Sequence, residues 1–218
     1  MRVRLRAALS LAVAVALCGM GGASTDARTM QQAGASATAL NFYSPFDGAG
    51  IASGVVIAKS VRGSCWTSAL TDWRSVAWRC FGPGAVIHDP CFSSTTAKLD
   101  YVLCPLYTPR SEVLRIDLTK PLPKAEARND SMSRPPWAIQ LDGGIWCVSR
   151  GGMAGIPSVG GKDVTYLCQK ATQSKASSNR FGDAGSLLGT PRRARSGWTI
   201  LKAVGQRIGR VPIRSAWW

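Results

Sequence analysis

The chain has 218 residues, 27 Lys and Arg against 12 Asp and Glu, a formal net charge of +15 and one histidine. That length suits one domain with a modest core. The single imidazole confines any Ser-His-Asp chemistry to His88, and the basic balance favours encounters with polyanions.

Arg2, Arg4 and Arg6 precede an uncharged apolar run over 7–17, and small residues with cleavage positions after Ala23 and Ala27 follow. This is the pattern of a secretory signal peptide over 1–27. The apolar run falls well short of the roughly 20 residues that span a bilayer. No second run of its length follows, so the sequence predicts no transmembrane segment after signal removal. Cys18 leaves a lipid anchor open as the alternative to free secretion, although Leu17 stands where a lipoprotein signal carries a small residue. Cleavage after Ala27 takes Arg2, Arg4, Arg6 and Asp26 as its only charged side chains, so the mature chain stays strongly basic.

Residues 28–40 are small, polar and aperiodic and read as a flexible leader; 41–218 reads as a single disulfide-bonded β domain. Short apolar runs at 55–58, 65–70 and 77–81 are bounded by Gly, Pro and Ser, and 101–107 and 112–118 read as two further strands. Residues 120–136, rich in Pro and charge, predict a surface loop. Trp137, Ile139 and Leu141 then alternate with Ala138 and Gln140, the period of a half-buried strand. Asp142-Gly143-Gly144 supplies a tight turn, Ile145-Trp146-Cys147-Val148 returns, and 164–168 adds a third run. Residues 169–186 read as a second polar loop. The end of the chain reads as a β-hairpin. Trp198, Leu201, Lys202 and Gly205 also share one helical face, but Thr199, Ile200 and Val204 favour strand. The expected fold class is all-β: a small antiparallel sandwich or barrel-like domain stapled by disulfides.

Six cysteines remain after signal removal: Cys65, Cys80, Cys91, Cys104, Cys147 and Cys168. An even number in an exported chain points to disulfides. Sequence alone allows many pairings; the expectation here is neighbour pairing, Cys65–Cys80, Cys91–Cys104 and Cys147–Cys168.

The segments Ala77-Trp78-Arg79-Cys80, Ile87-His88-Asp89-Pro90-Cys91-Phe92 and Leu103-Cys104-Pro105 occur in that order. Leu-Thr-Lys-Pro-Leu-Pro over 118–123, Pro136-Trp137-Ala138 and a terminal apolar strand ending in Trp follow. This order resembles a group of secreted proteins of high-GC Gram-positive bacteria, over roughly 65–218. The resemblance implies export and a common fold, and no catalytic residue.

The chemistry-bearing residues are few. Residues 181–186, Phe-Gly-Asp-Ala-Gly-Ser, are similar to the Gly-Asp-Ser-Gly-Gly of chymotrypsin-like proteases. Ala184 stands where the nucleophile belongs and no Thr-Ala-x-His-Cys stretch accompanies it, so that family is rejected. No Gly-x-Ser-x-Gly elbow occurs. His88, between apolar residues and an Asp-Pro-Cys turn, is expected to hydrogen-bond a loop. Paired cysteines leave no thiolate for catalysis, and their spacing fits no zinc knuckle; no metal or other cofactor is expected. A glycosidase would need two facing carboxylates. Asp89, Asp100, Glu112, Asp117 and Asp142 are the candidates, with Asp89 and Asp142 better explained by turns.

The stretch 191–218 carries Arg192, Arg193, Arg195, Lys202, Arg207, Arg210 and Arg214 and no acid. Either these bind an anionic polymer or they are a solvated face. Trp66, Trp78, Trp137 and Trp146 lie in predicted strands and are expected in the core; Trp73, Trp198, Trp217 and Trp218 are candidates for exposure. The leading expectation is a secreted, non-catalytic binding domain. It takes an anionic or glycan polymer of the cell envelope through the C-terminal basic residues and Trp198. An extracellular hydrolase using a carboxylate pair or His88 is the alternative, and an inhibitor or interaction module with an extracellular protein partner is a third. Nucleic acid is not expected as a biological partner, because export separates the chain from it.

Overall fold

The computed structural model describes residues 37–48, 50–97, 100–106, 109, 112–125, 134–151, 158–170 and 184–218. Its elements are β1 (Ala39–Asn41), β2 (Phe46–Asp47), β3 (Gly50–Ile51), β4 (Val56–Ser68), β5 (Ala77–Phe81), β6 (Ile87–Phe92), β7 (Tyr101–Pro105) and β8 (Glu112–Leu118). These are followed by β9 (Ala138–Leu141), β10 (Ile145–Ser149), β11 (Ser158–Val159), β12 (Lys162–Lys170), β13 (Ser186–Arg192), β14 (Trp198–Val204) and β15 (Arg207–Trp217). Two 3-10 turns complete the set, Pro83–Ala85 and Asp142–Gly144; no α-helix occurs among the described residues. The protein is all-β, as its alternating runs and Gly/Pro punctuation predict.

The strands close into two barrels. In the first, β4 to β8 form a meander in which each strand pairs antiparallel with the next, and β8 returns to pair with β4 in parallel. An odd number of meandering strands leaves the first and last pointing the same way, so closure has to be parallel. The second barrel runs β9-β10-β12-β13-β14-β15 and closes through β15 and β9. With an even number of strands every pair, the closing one included, is antiparallel. β1 extends β15 in parallel and β11 folds onto β12. Closure leaves few unpaired sheet edges.

Strand β4 joins two runs that the sequence shows separately. Its first half pairs with β8 and its last residues with β5. Gly63 lies at the crossover, where a Cβ would collide with the Phe81 carbonyl and the Ile116 side chain, so only glycine lets the backbones approach.

Alternate residues of β6 to β8 feed two separate cores. Cys91, Val102, Cys104, Leu114 and Ile116 join Cys65, Trp78 and Cys80 inside the first barrel. Phe92, Leu103 and Val113 face the other way and meet Tyr43, Trp137, Ala138, Val148 and Trp217 between the barrels. Tyr43 and Trp137 pack edge to face at 5.7 Å. The second barrel has its own core of Ile139, Leu141, Tyr166, Leu187, Ile200, Ile213 and Trp218 around the Cys147–Cys168 bridge. The shared middle layer makes Gly34–Trp218 one compact unit.

All three neighbour pairings hold: Cys65–Cys80, Cys91–Cys104 and Cys147–Cys168 are disulfides. Each ties adjacent antiparallel strands. Cys65 faces Cys80, and Cys147 faces Cys168, directly across their ladders.

Three local expectations change. Ala39 and Leu40, read as leader, belong to β1, and the Thr38 hydroxyl donates to the Ile213 carbonyl at 2.8 Å while accepting from the Trp198 N–H at 2.7 Å. His88-Asp89-Pro90-Cys91 is not a turn but the middle of β6, with a cis Asp89–Pro90 peptide. Proline is tolerated there because the β5–β6 ladder shifts register between Trp78 and Cys80, leaving no backbone N–H required at Pro90. The predicted loop 169–186 starts later, since β12 runs to Lys170, and ends in β13; 171–183, with the first half of the protease-like segment, lie outside the described residues.

Candidate polyanion-binding face

The second barrel sorts its basic residues by strand parity. Ile200 and Ile213 are fully buried, so Thr199, Arg210, Pro212 and Arg214 point outward. The register places Arg192 of β13 opposite Thr199 of β14, and Thr199 opposite Pro212 of β15. Arg210 lies nearby on the same outer face and donates to the Thr199 hydroxyl at 3.2 Å. Arg192 and Arg210 thus flank one threonine, Arg195 stands in the β13–β14 turn, and Arg207 begins β15; all four are exposed. Arg192, Arg195 and Arg207 form no ion pair with another described residue.

The other three predicted cations have different surroundings. Arg214 pairs with Asp142, both about half exposed. This pair borders an open cleft of about 410 Å³ at the β9–β10 turn. The Arg193 guanidinium sits over Trp198, 4.6 Å from its ring centre, and donates to the Arg134 carbonyl at 2.6 Å. Lys202 shares the inward parity of Ile200 and sits at the barrel end. Burial, and then the charge of Lys170, lower its ammonium pKa.

Trp198 is not an open platform. It is half buried, covered by Arg193 and set edge-on to Trp218 at 5.7 Å. Trp218, a candidate for exposure, is 6% exposed and donates its indole N–H to the Arg134 carbonyl at 3.0 Å. Trp217 is half buried against Trp146, and Trp73 carries the Arg134 guanidinium at 3.6 Å. The exposed tryptophan is instead Trp66, at 40%, stacked on Phe81 with ring centres 3.9 Å apart. The sequence holds a signal for this. Cys65 must point inward to its disulfide, so the next residue of a strand points out.

His88 is half buried, and loss of solvent holds its pKa below the ordinary imidazole value. It packs against Gly82, where a Cβ would stand 3.0 Å from Nε2. Its imidazole makes no hydrogen bond to another described residue, so neither the loop contact expected of it nor an acid–base pair is formed among these residues. Asp89 is the loop anchor. Its carboxylate accepts from the Leu70 and Thr71 N–H groups at 3.0 and 3.3 Å and from the Thr71 hydroxyl at 2.6 Å. Burial raises its pKa, opposed by these donors and by Arg79 at 3.8 Å. Asp117 is held by Arg115 at 2.6 Å, and Asp100 and Glu112 are exposed. The sequence reading missed Asp72, which is buried and grips Arg74 through both oxygens, at 3.0 and 2.6 Å. Among the described residues no group of three His, Cys, Asp or Glu is placed to hold a metal.

The fold defines a disulfide-stapled double barrel whose β13 to β15 strands carry Arg192 and Arg210 on one outer face. No family model, no curated protein and no solved structure matches the chain.

Proposed function

We propose that this chain is an exported, non-catalytic binding domain whose second barrel takes an anionic polymer of the cell envelope. The observation that carries this reading is the register that sets Arg192 and Arg210 on one outer face, with Arg195 and Arg207 exposed at its ends and no acid anywhere in 191–218. Phosphate or carboxylate groups repeating along a polymer would meet several guanidinium groups at once, each able to bind them in a bidentate fork. Export is supported by the N-terminal signal pattern and by three disulfides, which persist in oxidising compartments. Among the described residues no helix is long and apolar enough to cross a membrane. The Trp66–Phe81 stack on the first barrel adds an exposed aromatic surface suited to a glycan. The hydrolase alternative draws less support, because Asp89, Asp117 and Asp142 are each engaged by donors or cations and the His88 imidazole is hydrogen-bonded to none of them.

Retention on isolated cell wall at low and high salt tests the proposal. Retention at low salt, lost at high salt and in a variant with Arg192, Arg195, Arg207 and Arg210 changed to Gln, is expected. Absence of retention at low salt would refute it.

A further inference from the structure

The β14–β15 hairpin combines two features that a binder of soluble polymers would not need together. Among the described residues of β9 to β15, Val204 and Ile208 are the large apolar side chains left exposed, at 57% and 39%. Both lie at the hairpin tip, on either side of the Gly205-Gln206 turn. Val204 pairs with Arg207 and Ile208 with Ala203, so one apolar group projects on each face of the ribbon.

Each approaches a glycine where it meets the rest of the barrel. A Cβ on Gly160 would press on Ile208 Cδ1 at 2.9 Å, and one on Gly185 would meet Val204 Cγ2 at 3.1 Å. Lys202 Cε lies 3.2 Å from the same Gly185 position. Cations ring the tip: Arg207 across from Val204, Lys202 on the Val204 face with Lys170 close to it, and Arg210 on the Ile208 face.

We propose that this tip docks on an anionic lipid bilayer. Headgroup phosphates would engage the four cations, and the Val204 and Ile208 methyls would enter the boundary between headgroups and acyl chains. Charge complementarity selects this occupant. A soluble polyanion would satisfy the same cations but gain nothing from two exposed aliphatic groups, and an uncharged partner would leave the cations unused. The inference rests on the polyanion reading of this barrel and adds its partner surface.

Two probes separate the two ideas: cosedimentation with phosphatidylcholine vesicles, with and without phosphatidylglycerol, and solution binding to long-chain polyphosphate. The native protein should bind the phosphatidylglycerol vesicles and leave the pure phosphatidylcholine ones. V204S/I208S, whose changes are at exposed positions, should keep its near-UV circular dichroism and its polyphosphate affinity while partitioning onto anionic vesicles about tenfold more weakly. R207Q/R210Q should weaken both interactions. Vesicle binding by V204S/I208S equal to the native protein's, or equal binding to neutral and anionic vesicles, would overturn the proposal. Polyphosphate binding without vesicle binding would overturn it and leave the polymer reading standing. Binding to neither would overturn both.

Discussion

Replacing Cys147 and Cys168 together by Ala tests how the second barrel is held. The two residues face each other across the β10–β12 ladder, and both are fully buried. The backbone pairing on either side does not depend on the bridge, so the variant should keep its fold and lose mainly the restraint on the unfolded chain. With a sequence separation of 21 residues, the chain-entropy relation gives about 3.4 kcal/mol at 25 °C. The same relation gives about 3 kcal/mol for the bridges spanning 15 and 13 residues. Urea unfolding of the three double-Ala variants should therefore show similar losses, with a slightly steeper denaturant dependence in each because the unfolded state expands. A loss under about 1 kcal/mol for Cys147/Cys168, or a spread of more than about 2 kcal/mol among the three, would refute the entropic reasoning. Free thiols in the unfolded, unreduced mature protein would refute the bridges themselves.

Four further outcomes follow from packing and charge. Asp89→Ala strips three donors and Arg79 of a buried acceptor and should cost about 3–5 kcal/mol in urea unfolding, with Asp89→Asn costing less. Trp78→Ala, in the core, should cost about 3–5 kcal/mol and the exposed Trp66→Ala clearly less; equal losses would contradict the placement of Trp66. Gly63→Ala should cost at least about 2 kcal/mol, because its Cβ meets backbone that cannot yield. Burial lowers the His88 pKa, so the unfolded chain binds more protons than the folded one in mild acid, and stability should fall as pH drops below about 6.5. Asp89 is shifted upward, so its contribution has the opposite sign: the folded state takes the proton first, and stability is regained in the window just above the ordinary carboxylate value of about 4. His88→Asn should flatten the first limb in unfolding measured from about pH 7.5 to about pH 5; a limb that persists would assign it elsewhere.

The sequence by itself determined what depends on neighbours along the chain. Alternation marked β8 and β9, the Asp142-Gly143-Gly144 turn joined β9 to β10, and neighbour pairing, one of many connectivities the cysteines allow, is the expectation that the three bridges meet. These are local consequences of period-2 geometry and of small loop-closure entropy. Tertiary structure decided what depends on distant partners. Nothing local in Val56–Ser68 says that its first half meets β8, or that β15 reaches back to β9, because periodicity shows which side of a strand is apolar and not which strand lies beside it. Barrel closure also divided the seven C-terminal cations. Composition presents them as one cluster; the register sends Arg192 and Arg210 outward, turns Lys202 to the barrel end and gives Arg214 to Asp142. A charge is written in the sequence, but its direction and its partners are set only when the sheet closes.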